Sequence, residues 1–259
     1  MAILLKKKRE LDLMRRAGRI VAVVWEAMAD VVAPGVTTAE LDKLAETIIR
    51  KHGAVPSFKG YPYRGVNDFP GSICASINQE IVHGIPSQDR ILGEGDIVSI
   101  DVGTIYKEYQ GDGAITLPVG HVSEQARRLI EVTQGALAVA IARARPGNRT
   151  GDISQAIERY VHSCGYEVVR EYTGHGIGKA MHEDPQVPNY YDPKMEDHPL
   201  SPGMTLALEP MVNVGTWKTR VLSNGWTVET ADGQLSAHFE HTVAITDGEP
   251  EILTRLDGI

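Results

Sequence analysis

Cysteine is nearly absent: Cys74 and Cys164 are the only two in 259 residues, and no CxxC spacing occurs. That excludes a disulfide framework and points to a reducing compartment, the cytoplasm. A run of about 20 apolar residues is also missing, so no membrane span is expected. The opening MAILLKKKRE carries its charges after a short apolar stub, the reverse of a secretory leader. An excess of basic charge is lacking too, with 26 Lys and Arg against 34 Asp and Glu and a net charge of -8. DNA and other polyanions are therefore not expected as main partners. Aromatics are sparse at 6%, yet 42% of the chain is hydrophobic, enough for a full core.

What is present begins with helical periodicity. From Glu10 to Val32, apolar residues recur at Leu13, Ala17, Ile20, Val21, Val24, Met28 and Val32, with Arg15, Arg16, Arg19 and Glu26 mostly between them. Pro34-Gly35 ends this helix, and Thr37 with Glu40 has the form of a capping box opening a second, through Ile49 to Gly53. The same features return 112 residues later. Pro146-Gly147, Thr150, Ile153, Val161 and Gly165 follow Pro34-Gly35, Thr38, Leu41, Ile49 and Gly53, and Leu129 to Ala144 overlies Ala17 to Val32. An internal duplication is expected, roughly 10-120 and 121-250, within a single domain spanning 1-259.

Strand-like stretches run over Ser72 to Val82, Asp96 to Gly120, Met204 to Val214 and Gly225 to Thr246. The predicted class is α+β, with helices on one face of a largely antiparallel, pseudo-symmetric sheet. Several carboxylates sit where a strand should be buried. A hairpin turning between Tyr106 and Lys107 would set Asp101 directly opposite Asp112, roughly 4.5 to 5.5 Å apart at Cβ. Alone, the pair reads either as a solvated feature of the turn or as two carboxylates sharing a cation. Glu209 in TLALEP and Glu240 in HFEHTVAI lie among apolar neighbours, where an unpaired charge is costly. His175 and His182 bracket the glycine-rich stretch HGIGKAMH, expected as a loop, at a spacing unlike the one-turn pair of a zinc helix. Four inward carboxylates and one imidazole match the charge of two divalent ions, and their oxygen-rich chemistry suits manganese, iron or cobalt, with zinc not excluded. Such a centre serves hydrolysis by activating water and clamping a carbonyl oxygen.

The stretch YTGHGIGKAMHEDPQVPNY resembles the signature of type I methionine aminopeptidases, and the ordered set Asp101, Asp112, His175, Glu209, Glu240 is similar to the five metal ligands of the pita-bread hydrolases. The resemblance runs over nearly the whole chain. It implies the pita-bread (creatinase/aminopeptidase) fold, with pseudo-twofold duplicated halves and helices on a curved, mostly antiparallel sheet. It further implies a metal-dependent methionyl aminopeptidase of the cytoplasm that removes the initiator methionine of nascent polypeptides when the second residue is small. Asp112 and Glu240 would bridge two divalent metals (Co, Mn, Fe, Zn or Ni), Asp101 would chelate one, and His175 with Glu209 would complete the other. Glu209 would also handle the proton of the attacking water, while His83 would sit near the scissile amide and His182 near the carbonyl. The methionine pocket would be Tyr61, Phe69, Cys74, Met181 and Trp226, and Asn78 with Ser236 would help hold a monovalent cation. Phe58 stands where many relatives have a second cysteine, and the run 63-68 before Phe69 is longer than usual. The 31 residues from Glu209 to Glu240 leave no room for the helical insert of type II enzymes. A monomer is implied, with a transient ribosome contact for which Lys6 to Arg9 form a candidate basic patch. Two alternatives share the fold: an Xaa-Pro aminopeptidase or dipeptidase, whose members carry a large extra N-terminal domain, and a metal-free binding module, which need not keep the ligands.

Overall fold

The computed structural model describes residues 3-62 and 65-256. In chain order these form α1 (Lys8–Val31), α2 (Thr38–Lys51), β1 (Val55–Pro56), β2 (Ile73–Ile77), β3 (Glu80–Val82), β4 (Ile97–Tyr106), β5 (Tyr109–Pro118), α3 (Glu124–Arg143), α4 (Thr150–Ser163), β6 (Glu167–Val168), β7 (Thr173–Gly176), β8 (Glu183–Pro188), β9 (Thr205–Leu208), β10 (Met211–Asn213), β11 (Thr219–Val221), β12 (Val228–Thr230), β13 (Ser236–His238), β14 (His241–Ala244) and β15 (Glu251–Ile252). The mixed α and β content is as predicted, and every strand pairing among the described residues is antiparallel.

Helix α1 buries Met14, Ala17, Ile20, Val21, Val24, Trp25 and Met28, so its inner stripe begins at Met14 and leaves Leu13 only half-buried. It crosses β5 closely enough that a Cβ on Gly111 would lie 2.5 Å from the Gly18 nitrogen, which only glycine permits. Helix α2 starts as predicted: Thr37 Oγ1 accepts the Glu40 N–H at 3.2 Å while Glu40 Oε2 accepts the Thr37 N–H at 2.8 Å. Helices α2 and α4 have 14 residues each and start 112 residues apart, and β1 and β6 keep that offset. Gly35 and Gly147 share φ values of 93° and 92°.

Strands β1 and β2 lie end to end along one edge of β4, with β5 on its other edge. The second large sheet runs β15-β14-β9-β7-β8, and two three-stranded sheets, β13-β10-β6 and β11-β12-β3, complete the set. The expected stretches 72-82, 204-214 and 225-246 are thus broken into shorter strands that change sheet, whereas 96-120 stays within one sheet as the β4–β5 hairpin. One core joins α1 and α2 to β2 and β4 through residues such as Val21, Met28, Ile49 and Ile100. Another joins α3 and α4 to β9 and β14 through Leu129, Ile153, Leu206 and Val243. Each such fully buried aliphatic side chain is worth about 1.5 to 3 kcal/mol relative to exposure.

The β4–β5 hairpin corrects the predicted register. Its turn residues are Lys107 and Glu108, both with positive φ (46° and 73°), the geometry of a tight primed turn. Tyr106 therefore pairs with Tyr109, Gly103 with Asp112, and Asp101 with Ala114. Moving the turn centre by one residue shifts the pairing by two, so Asp101 and Asp112 stay on one face but are diagonal neighbours rather than opposed. The glycine-rich stretch is a loop from Ile177 to His182 as expected, but its first two residues, His175 and Gly176, end strand β7, which pairs with both β8 and β9.

Candidate functional site

Asp101 enters the site from the middle of β4, between Cys74 on β2 and Ala114 on β5. Asp112 lies on β5 and is locked from the other half of the molecule, its N–H bonded to Thr242 Oγ1 (3.1 Å) and its carbonyl accepting the Thr242 hydroxyl (2.8 Å). His175 lies on β7, an interior strand of the second large sheet, opposite Ala207 of β9 and Gln186 of β8. Glu209 follows β9 at once, where Pro210 interrupts the ladder. Glu240 occupies the break between β13 and β14, held by its backbone to Ala114 (N–H to O, 2.8 Å). The centre thus draws two carboxylates from the N-terminal half and an imidazole with two carboxylates from the C-terminal half.

These five side chains line one cavity of about 680 Å³, together with His83, Tyr61, Phe69, Cys74, Met181, His182 and Trp226. Twelve residues singled out from the sequence therefore converge on one space. Asp112, His175 and Glu240 each offer a ligand atom within 4.8 Å of the others. His175 Nε2 is 3.5 Å from Glu209 Oε1 and 4.0 Å from Asp112 Oδ2. Its Nδ1 lies 2.9 Å from the Gly176 carbonyl, so the donor role falls to Nδ1 and the Nε2 lone pair faces the carboxylates. Asp101 Oδ1, Asp112 Oδ1 and Glu240 Oε1 are buried without a hydrogen-bond partner.

Electrostatics make the same demand. Burial pushes Asp112 up to about 7. Burial, then the Asp112 charge, drives Asp101 well above the usual carboxylate range. Glu209 and Glu240 rise likewise, first by burial and then through Asp112 and its neighbours. Burial also draws His175 down to about 3 and His83 to about 4, each helped by His182, so both imidazoles are neutral. A cluster of acids that cannot all ionise alone, with orphaned oxygens and a neutral imidazole lone pair turned inward, is chemically fitted to divalent cations.

The family comparison agrees. The model of metallopeptidase family M24 matches residues 12–247. The chain belongs to metallopeptidase family M24. Within it, the chain is 53% identical to the methionine aminopeptidase of Clostridium acetobutylicum, over 97% of this chain and 98% of that protein. It is 50% identical to methionine aminopeptidase 1 of Bacillus subtilis, over 98% and 100%. The crystal structure of the methionine aminopeptidase of Thermotoga maritima superposes with a TM-score of 0.94 at 43% identity, covering 98% of this chain and all of that one. The pita-bread fold expected from the motifs is the fold of these M24 neighbours.

The apolar side of the M24 cavity is built by Phe69, Cys74 and Trp226, with Phe58 and Tyr61 packed against them. The Phe69 and Trp226 rings meet edge to face at 5.1 Å, and His83 stands edge to face to Tyr172 at 5.7 Å. Met181 belongs to an adjoining cluster that Phe58 and Tyr61 also touch. Sequence reasoning left out Phe58, Pro62, Tyr172, Val221 and Gly225 as lining residues. Phe58 had a signal, since the resemblance sets it where many relatives have a second cysteine. Of the long run before Phe69, Tyr63 and Arg64 lie outside the described residues, while Asn67 accepts the Trp226 indole N–H at 2.8 Å. Asn78 and Ser236 do meet, through a 2.9 Å bond from the Ser236 N–H to the Asn78 carbonyl, but neither lines the cavity. The Asn78 side chain instead bonds Asp96 Oδ1 and the Ile97 N–H. The basic patch needs correction: Lys6 is buried against Glu183, and only Lys7, Lys8 and Arg9 of that run are exposed. No helix among the described residues is long and apolar enough to cross a membrane.

Proposed function

We propose that this chain is a metal-dependent methionyl aminopeptidase, releasing the initiator methionine of nascent polypeptides when the second residue is small. The observation that carries the reading is the convergence of Asp101, Asp112, His175, Glu209 and Glu240 with His83 and His182 on one cavity whose other wall is apolar. Two divalent ions would be held by these five ligands, with Asp112 and Glu240 shared between them. When bound, they would supply Lewis acidity toward a carbonyl oxygen and ease deprotonation of water. Co, Mn, Fe, Zn and Ni all suit this donor set, and availability decides among them.

The chain's own residues do the rest. The wall of Phe69, Cys74 and Trp226, closed by Tyr61, Phe58 and Met181, receives the flexible thioether side chain, for which aromatic faces and sulfur are compatible partners. Burial holds the Cys74 thiol protonated, so it lines the pocket without adding charge. Glu209, 3.5 Å from His175 Nε2 and raised in pKa by burial, takes the proton of the attacking water. His83 faces the scissile amide nitrogen and the leaving amine. His182 donates to the carbonyl oxygen as charge develops on it. The Tyr61 hydroxyl, 2.8 Å from His182 Nδ1, donates there and leaves Nε2–H as the group presented to the substrate. Exposed Lys7, Lys8 and Arg9 are the cations left for a transient ribosome contact. The offset of 112 residues that relates α2 to α4 and β1 to β6 supports descent of the two halves from one duplicated unit.

The deciding experiment offers Met-Ala-Ser and an Xaa-Pro peptide side by side to protein stripped with chelator and reloaded with manganese or cobalt. Metal-dependent release of methionine supports the reading. Cleavage only before proline transfers the chain to the Xaa-Pro branch, and silence on both with no metal retained leaves a binding module.

A further inference from the structure

One buried polar group beside the centre has no part in that mechanism. His238, on β13, is 2% exposed, does not line the cavity, and has an Nε2 without a hydrogen-bond partner. That nitrogen lies 3.8 Å from Glu240 Oε2, while Glu240 Oε1 is likewise unpartnered. The backbone around it is rigidly held: the His238 N–H donates to Thr116 Oγ1 at 3.0 Å, and its carbonyl accepts the same hydroxyl at 2.8 Å. Thr116 is itself 2.8 Å from Ser99 Oγ on β4. The His238 backbone is thus anchored to β5 and, through Thr116 and Ser99, to β4, the two strands that carry Asp112 and Asp101, and the unpaired imidazole nitrogen lies 3.8 Å from the carboxylate of Glu240.

We propose that His238 is a positioning residue for the metal centre, donating from Nε2–H to the Glu240 carboxylate and fixing how that carboxylate faces the cavity. The inference rests on the reading of Glu240 as a ligand given above. A buried imidazole N–H with no acceptor is unfavourable, and the Glu240 carboxylate lies beside it, with Oε2 3.8 Å from His238 Nε2 and Oε1 unpartnered. Carboxylates that bind metal are commonly oriented by such an outer hydrogen bond, which limits their rotation and sets how much charge they offer the ion.

The test uses the whole chain, stripped of metal, with Co²⁺ as the probe. Affinity is measured by titration calorimetry and ligand geometry by the visible absorption of the bound Co²⁺, for the wild type and for His238→Leu, His238→Gln and His238→Asn. Far-ultraviolet circular dichroism and apo melting temperature establish that each is folded. His238→Leu is expected to bind Co²⁺ about 10- to 100-fold more weakly with an altered spectrum. His238→Gln, whose amide nitrogen reaches as far as Nε2, is expected to restore both, whereas His238→Asn, polar but too short, is not. Wild-type affinity and spectrum in His238→Leu overturn the proposal. If His238→Leu does not fold, equal affinities for His238→Gln and His238→Asn overturn it instead. A wild-type protein that is folded yet takes up no Co²⁺ overturns the metallopeptidase reading itself, a distinct result.

Discussion

The Tyr61 hydroxyl lies 2.8 Å from His182 Nδ1, and the two rings meet edge to face with centroids 5.8 Å apart. One residue of the apolar pocket thereby sets the donor geometry of a residue at the reacting carbonyl. Binding of the side chain and orientation of the electrophile are coupled through one hydrogen bond. Tyr61→Phe keeps the ring and removes that bond, worth about 1 kcal/mol net. The expected outcome is kcat on Met-Ala-Ser lowered about fivefold, with little change in KM. In a His182→Ala background the same substitution should change nothing, and steady-state kinetics of the four proteins check both statements.

Asp101 tests the centre more directly. Its carboxyl is buried beside Asp112, with Oδ1 unpartnered and its pKa driven upward by burial and by the Asp112 charge. Asp101→Asn replaces one acid of a crowded group by a neutral amide of the same shape. The metal-free variant is therefore expected to melt no lower than the metal-free wild type, yet to lose the rise in melting temperature on adding Mn²⁺ and to lose turnover. Thermal melts with and without Mn²⁺, beside peptide cleavage, give the answer. Unchanged activity would remove Asp101 from the centre.

The helices and the five candidate ligands were legible for different reasons. Helix α2 announced itself by a local rule, Thr37 with Glu40, that tertiary structure had no cause to override. Asp101, Asp112, Glu209 and Glu240 stood out because charge within an apolar strand is costly enough to require a purpose. The β4–β5 register was not legible, because Tyr-Lys-Glu-Tyr contains no glycine or asparagine to mark which pair adopts positive φ. Strand β7 was hidden by its two glycines, which read as loop; a Cβ on Gly174 would approach the Ala207 carbonyl to 2.5 Å, so glycine there serves close strand packing. Val221 and Gly225 reach the cavity from a distant hairpin, a placement no local pattern records. His238 lies two residues from Glu240 and drew no attention, because only its burial distinguishes it from any histidine.

A pH dependence follows from Glu46 on α2. Its carboxylate accepts Lys59 Nζ at 2.7 Å and Arg50 Nε at 2.8 Å, which hold its pKa down to about 2, and it also accepts the Ser72 hydroxyl at 3.2 Å. These bonds tie α2 to the segment carrying Phe58. Because the folded-state value lies below the ordinary 4.5, the stabilisation is fully present above that ordinary value and is lost as pH falls toward 2. Glu46→Gln should therefore lower the urea midpoint at pH 6 and make no difference near pH 2, if both proteins remain folded there. A difference between the two proteins that does not shrink on acidification would remove the ion pairs as its cause.

Lys6 and Glu183 supply the last prediction. Their charged atoms are 2.5 Å apart, with side chains only 5% and 8% exposed, so this is a buried ion pair. It fastens the first turn of chain before α1 to the residue following His182, and Lys6 also bonds the Gly203 carbonyl through its N–H at 2.7 Å. Removing one partner strands the other's charge in a poorly solvated site. Lys6→Met is expected to destabilise the protein by about 3 to 5 kcal/mol, and Glu183→Gln by less, since an ammonium beside the Leu4 carbonyl (3.2 Å) keeps one acceptor. The double variant should recover much of the loss from Lys6→Met, because neither charge is then left alone. Urea unfolding of the four proteins gives the coupling energy. Additive losses would mean that the pair acts as two independent packing groups, and the buried charge would then have to be stabilised by something other than its partner.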